Sequence, residues 1–353
     1  MGKAPGRTLA RALKVNKTPK NTSLMLLRLL KYNTTIGYLL IPLLAVAAWL
    51  PSMMSPGYDR MVFDNAPMPL YGLLADYLPH SSLASKIVAL VLLTASGFYL
   101  IRINNKYMLL QERTLLPAFL FVTIICSMAP LHRLHPALIS MIFFVPAIEK
   151  LLDSYKAERL SYNYFEASFL IGLGSLFYFN LIWYIIIVWV ALLILRPVIW
   201  REWVFSVIGA ATPWFFLVAG DLLLNESAEY TWALVTANFN MRDVYDFAHL
   251  PEMIYFGFLL LVVLFASRKM ARSMGVMKVI IRKIFLIFFW VYAVGAAAYF
   301  LVETANIEMV VPATLPVAFL LSHYLLSFRK TFWPNLILWF TVAGMVVLVW
   351  GPW

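Results

Sequence analysis

The sequence predicts an all-α membrane protein, a polytopic bundle of about eleven apolar helices. Three observations carry that prediction. Of the 353 residues, 63% are apolar or aromatic and only 13% are charged, against roughly 45–50% and about 25% in soluble domains. The apolar residues stand in continuous runs and do not alternate with polar ones, which is the pattern of helices and not of a membrane β-barrel. The charge is also sided, as the threading below shows. A chain this apolar cannot bury itself in water, which excludes a cytosolic enzyme, a secreted disulfide scaffold, a disordered chain and a DNA-binding protein. The single cysteine, Cys126, excludes an internal disulfide and a cysteine metal site.

Each element is justified by a run that can cross, or nearly cross, the hydrocarbon core, which takes about 20 helical residues. The runs are 34–53, 83–101, 115–131, 136–151, 164–180, 181–196, 203–220, 252–267, 284–302, 309–327 and 332–350. Pro130 and Pro136 bracket a tight reversal between the third and fourth. Gly172-Leu173-Gly174-Ser175 in the fifth predicts a close helix approach, since small residues let backbones meet. Gly209-Ala210-Ala211-Thr212-Pro213 in the seventh predicts a kink. Ahead of the first run lies a basic arm, residues 1–33, with Leu24–Lys31 expected as a short amphipathic helix on the membrane surface. Its length argues for a first transmembrane helix over a cleaved signal peptide. Residues 34–353 form one membrane domain with two larger outer loops, 54–82 and 221–251. The stretch from Arg268 to Lys283 mixes cations with apolar residues and predicts an interfacial helix. Trp49, Trp183, Trp200, Trp203, Trp214, Trp333 and Trp350 fall near run ends, as an interfacial aromatic belt requires.

The positive-inside rule orients this threading. With the N-terminus in the cytoplasm, the outer side holds only Arg60, Lys86, Arg133 and Arg242, and the other 24 of the 28 basic residues lie inside. The C-terminus is then extracytoplasmic. The net charge of +11 is thus explained by orientation and by anionic inner-leaflet lipid, with no need of nucleic acid. The expected location is a bacterial inner membrane. Within the runs, only His323 is titratable and well inside; Glu166 and Glu303 sit at run ends. Ion-coupled transporters carry buried ionisable groups as their coupling device, so a lipid or solute transporter is disfavoured. His323 itself reads as a packing histidine bonded to a neighbour.

Polarity gathers on the outer side. Eleven of the 17 acids fall there, among them Asp59, Asp64, Asp243 and Asp246, with His80, His132, His135 and His249. Pro56-Gly57-Tyr58-Asp59-Arg60-Met61-Val62-Phe63-Asp64 puts two carboxylates about a cation just beyond the first helix. A carboxylate at that level can take a proton from an acceptor hydroxyl or help hold a divalent metal; the plainer reading is a solvated loop with a local ion pair. Outer arginines run against the orientation rule, which makes Arg60, Arg133 and Arg242 informative; Arg242, beside Asp243 and Asp246, reads as a local salt bridge, whereas Arg133 is a candidate phosphate or pyrophosphate binder. Arg133 lies in His132-Arg133-Leu134-His135 with no acid nearby in sequence. Two histidines alone make a weak zinc site, which needs a third ligand from elsewhere.

Acids directly after helix one, the stretch Ala167-Ser168-Phe169-Leu170-Ile171-Gly172-Leu173-Gly174-Ser175-Leu176-Phe177-Tyr178, and Arg196-Pro197-Val198-Ile199-Trp200-Arg201-Glu202 together carry a resemblance. Over roughly the first 220 residues the chain resembles the GT-C class of glycosyltransferases, which use polyprenyl-phosphate-linked sugars. Arg102-Ile103-Asn104-Asn105-Lys106-Tyr107 through Arg113-Thr114-Leu115-Leu116-Pro117 resembles uncharacterised membrane proteins of bacterial surface-polysaccharide loci. The resemblance implies a glycosyltransferase or glycan polymerase with Asp59 or Asp64 as general base. It implies that Arg133, with His132 or His135, binds lipid phosphate, and that Arg60 and Arg242 serve from the other outer loops. The partners it implies are membrane lipid and a polyprenyl-phosphate-linked sugar. The alternative is a non-catalytic subunit that assembles with other envelope membrane proteins through its basic arm and short loops.

Overall fold

Every apolar run becomes helix. The computed structural model describes residues 26–31, 34–54, 67–78, 82–156, 162–197, 199–225, 229–240, 250–302 and 307–351, and among these it is all-helical, with no strand. In chain order the helices are α1 (Leu26–Lys31), α2 (Thr35–Met54), α3 (Pro69–Tyr77), α4 (Leu83–Tyr107), α5 (Leu116–Cys126), α6 (Pro136–Asp153) and α7 (Asn163–Ser175). They continue as α8 (Ile185–Leu195), α9 (Trp200–Asn225), α10 (Glu229–Asn240), α11 (Leu250–Ser273), α12 (Val279–Leu301), α13 (Val310–Leu326) and α14 (Phe332–Trp350). Among the described residues, seven segments are long and apolar enough to cross a membrane: α2, α4, α9, α11, α12, α13 and α14, the α11 and α13 segments including the adjoining 3₁₀ turns. The protein is therefore an integral membrane protein by the length and apolarity of its helices. The other four runs form α5, α6, α7 and the segment Phe179–Leu195, which are shorter or carry charge.

The core sits on α5. All of its residues from Leu116 to Cys126 are buried, as expected of a helix apolar on every side. Helices α2, α4, α13 and α14 pack around it. At 11 residues it is only about 16 Å long, so it is sheathed by longer neighbours that meet the lipid. Ile36, Leu39 and Leu43 on α2 and Trp339 and Phe340 on α14 form exposed apolar faces, as do Leu260, Leu264 and Phe265 on α11, which packs on α13 and α14. The close approach expected at the fifth run is present between α7 and α9. A Cβ added at Gly172 would lie 2.6 Å from the Ala210 carbonyl oxygen, and one at Gly209 would lie 2.5 Å from that of Phe165. The helix α9 runs through Pro213 as one helix.

The structure differs from the sequence reading in four places. The helix expected on the membrane surface is α1, but it is docked on the bundle. Leu26, Leu27 and Leu30 are buried, Asn335 Oδ1 of α14 accepts the Leu27 N–H at 2.9 Å, and Leu30 O accepts from Thr114 Oγ1 at 2.9 Å. The rest of the arm, residues 1–25, lies outside the described residues. Between Arg268 and Lys283 there is no separate interfacial helix: α11 continues to Ser273, a 3₁₀ turn spans Met274–Val276, and α12 starts at Val279. Nothing before Gly275 breaks the helix, so α11 carries its cations out beyond the apolar segment. Trp49 is not a belt anchor, since it is fully buried and stacked on His132. Finally, the two outer loops contain helices of their own, α3 and α10.

Candidate functional site

Contacts between segments remote in sequence gather the connections of the bundle into two groups. One carries α3, α10 and the 3₁₀ turns Ala129–Leu131, Phe179–Tyr184 and Ile307–Met309; we call it the α3 end. The other carries α1 and the α4–α5 connection.

At the α3 end, segments remote in sequence are tied together. Tyr71 Oη of α3 donates to Leu134 O at 3.0 Å, and Leu70 N donates to Leu176 O at 3.3 Å. Asn238 of α10 reaches Met68 Sδ at 3.6 Å, and Tyr178 Oη reaches Met309 Sδ at 3.8 Å. Asp221, buried near the end of α9, accepts from both the N–H and the hydroxyl of Thr231 at 2.8 Å. It thereby serves an orphan donor in the first turns of α10.

The sequence-predicted histidines lie in this cluster, and both are buried. The His132 ring stacks on Trp49 with centroids 5.1 Å apart. Its Nε2 is 2.8 Å from the Cys126 carbonyl; a carbonyl only accepts, so this nitrogen carries the proton. Burial pushes the His132 pKa down to about 4, against the smaller opposing pull of that backbone bond. His135 caps α6, its Nδ1 accepting from Leu138 N at 3.3 Å. Burial, and then the nearby Arg133 charge, bring its pKa down to about 3. Both rings are therefore neutral near pH 7. Glu308 Oε1 lies 3.7 Å from His135 Nδ1, which is polar proximity and not an ion pair while the ring is neutral. Arg133 is half-buried between these residues.

The turn that carries His132, Arg133 and His135 thus meets Glu308 through His135, Glu308 being a residue the sequence placed outside but did not single out. Asp59, Arg60, Asp64 and Arg242 lie outside the described residues, as do Asp243, Asp246 and His249. Among the described residues no group of three or more His, Cys, Asp or Glu side chains is arranged to hold a metal. His132 Nε2 and His135 Nδ1 are each already engaged with backbone.

Beside this cluster is an apolar cleft of about 280 Å³. Helices α11 and α12 both pack on α13, and the cleft runs between them, walled by residues such as Phe256, Leu259, Tyr292, Tyr299 and Val317. Its lining includes the buried Met128 and Met309. Met128 directly precedes the turn that carries His132 to His135, and Met309 directly follows Glu308. The greasy cleft and the polar cluster therefore adjoin.

Comparison with family models, with characterised proteins and with solved structures finds no match to this chain.

Sequence reasoning missed a second polar centre at the α1 end. Glu149 and Asp153 of α6 face Tyr99, Arg102, Lys106 and Tyr107 of α4. Lys106 Nζ bonds Glu149 at 2.7 Å and Asp153 at 2.8 Å, and Tyr107 Oη donates to Asp153 at 2.7 Å. Tyr99 donates to Glu149, with Arg102 3.7 Å from the same carboxylate. The available signal was spacing: Tyr99, Arg102 and Lys106 recur at three and four residues, as do Glu149 and Asp153, so each set lines one helix face. All its carboxylates are matched by cations, which makes it a clasp between helices. His323, expected to bond a neighbour, instead packs edge-on against Phe285, and its buried Nδ1 has no hydrogen-bond partner among the described residues.

Proposed function

We propose that this integral membrane protein takes a lipid-linked glycan donor, with the prenyl chain in the α11–α12 cleft and the phosphate at the α3 end, for glycosyl transfer of the GT-C kind. The supporting observation is the adjacency of the cleft to the polar turn. Binding sites for amphiphiles pair an apolar cavity with a few polar groups that fix orientation, and Met128 and Met309 connect the two parts here. The proposal includes eleven crossings, a cytoplasmic N-terminus, an extracytoplasmic C-terminus and a bacterial inner membrane, with the α3 end outside. In it, Arg60, Arg133 and Arg242 supply charge to the phosphate or pyrophosphate. His132 and His135, neutral and engaged with backbone, hold the turn that carries Arg133. Asp59 or Asp64 accepts the proton of an acceptor hydroxyl as its oxygen bonds to the anomeric carbon. The bond from that carbon to the phosphate oxygen breaks, and polyprenyl phosphate or pyrophosphate leaves with the electron pair.

A second reading, a non-catalytic subunit of a larger envelope complex, is favoured by one observation. Tyr71, His132, His135 and Asp221, four of the polar groups at the α3 end, hold turns and helix ends in place.

Photo-crosslinking with a diazirine-bearing polyprenyl phosphate tests the donor site. Adducts are expected on cleft residues, reduced by competing polyprenyl phosphate but not by phosphatidylglycerol, and strongly reduced by Ala296→Trp, which fills the cleft. Equal labelling of lipid-facing residues such as Leu43 and Phe340 overturns the proposal. If cleft labelling holds, a host deletion complemented with Asp59→Asn or Asp64→Asn decides the chemistry: a shortened envelope glycan with either variant supports transfer. Full rescue by both variants favours the subunit reading.

A further inference from the structure

We infer that the α1 end of the α11–α14 half is a docking surface for anionic phospholipid head groups. The inference rests on how differently the two halves treat their cations. In the first half, acids neutralise many of them within the protein, Lys31 with Glu112, Lys106 with Glu149 and Asp153, and Arg196 with Glu202, as well as Lys150 with Glu166, while Arg28, Arg113 and Arg201 stay exposed. In the second half, Arg268, Lys269 and Arg272 on the last turns of α11, Lys278 and Arg282 at the start of α12, and Arg329 and Lys330 between α13 and α14 are all exposed. None of these forms an ion pair among the described residues. Beyond residue 250 the sequence has only three acids, Glu252, Glu303 and Glu308; of the two that the structure describes, Glu252 is in the first turn of α11 and Glu308 in the 3₁₀ turn Ile307–Met309, away from these cations. The Lys269 ammonium is also within electrostatic reach of His323, near the end of α13, so the α11 and α13 tips stand side by side.

The occupant is indicated by what lies among the cations. The turn Met274–Val276 puts Val276, 94% exposed, between Arg272 and Lys278, and Val279, 50% exposed, follows at the start of α12, between Lys278 and Arg282. Apolar tips ringed by lysine and arginine suit the head-group boundary, where the tip enters the acyl region and the cations meet phosphates. A nucleic acid or an acidic protein would leave that valine in water or against charge. This surface stands apart from the proposed donor site, at the opposite end of the helices.

The full chain, purified from a membrane of mixed phosphatidylcholine and phosphatidylglycerol, is assayed for retained lipid by native mass spectrometry. The wild type is expected to retain phosphatidylglycerol in preference to phosphatidylcholine. The variant Arg268→Gln/Lys269→Gln/Arg272→Gln/Arg282→Gln is expected to lose that preference by about threefold or more, as loss of several surface cations implies. Val276→Asp is expected to lower retention further. A control with Arg28→Gln and Arg201→Gln, exposed cations of the first half, should match the wild type. All these positions are exposed, and melting in phosphatidylcholine alone checks that the fold is intact. Equal retention of the two lipids by the wild type, equal loss in the control, or loss with Val276→Asp but not with the charge variant overturns the inference.

Discussion

His132 shows how far the surroundings of a polar residue decide what it does. In sequence it flanks an arginine in a short loop; in the structure it is 3% exposed, stacked on Trp49 and bonded to Cys126 O. A folded-state pKa of about 4 against the usual 6.5 means that the unfolded chain binds the proton first as pH falls. The stabilisation from the neutral ring is thus complete above about pH 6.5 and is lost progressively down to about pH 4. The loss is on the order of 3 kcal/mol for this group, and His135 acts in the same direction over a window that extends lower. Thermal unfolding in detergent should therefore show a falling midpoint between pH 6.5 and 4, and His132→Phe should flatten part of that slope while lowering stability at pH 7. An unchanged slope in His132→Phe would show that the ring is not buried as described.

At the scale of elements, contacts at glycines and polar clasps set how the helices pack. Gly172 and Gly209 face backbone carbonyls across the α7–α9 interface at 2.6 and 2.5 Å from where a Cβ would stand. Backbone cannot swing aside as a side chain can. Gly172→Val and Gly209→Val should each destabilise by about 1–3 kcal/mol, read as lower melting midpoints in detergent. Gly257, with open space about it, should tolerate Ala with little change. The close approach at Gly172 was legible in the sequence because small residues in an apolar run have few other uses, whereas Gly209, four residues before Pro213, read as part of a kink. The α4–α6 clasp was not, because Glu149 and Asp153 read singly as inner-side charge, and only the pairing of two helices shows that Lys106 answers both.

For the whole molecule, sidedness is the quantity to measure. Cys126 is the only cysteine and is buried, so single-cysteine variants can be labelled in intact cells against a silent background. Asp76→Cys on α3 and Val276→Cys between α11 and α12 are both at exposed positions. An impermeant maleimide should label the first directly and the second only after permeabilisation. Labelling of both from one side would break the proposed threading. The same experiment places the basic α11–α14 tip on the leaflet rich in anionic lipid.

Composition and run length by themselves determined that this protein is helical and lives in a membrane, because both are local: an apolar run must leave water wherever it is in the chain. They could not say which apolar helices meet lipid and which meet protein, since α5 and α11 present similar side chains to either surrounding. Only the tertiary structure decided that α5 is the buried centre and that α11 and α12 part to form a cleft. It also decided that the α3-end segments converge. That convergence rests on bonds between residues far apart, such as Tyr71 to Leu134, 63 residues on, and the approach of His135 to Glu308. Such pairings leave no periodic trace in either partner's own stretch of sequence, so the fate of the polar loop residues was settled by packing.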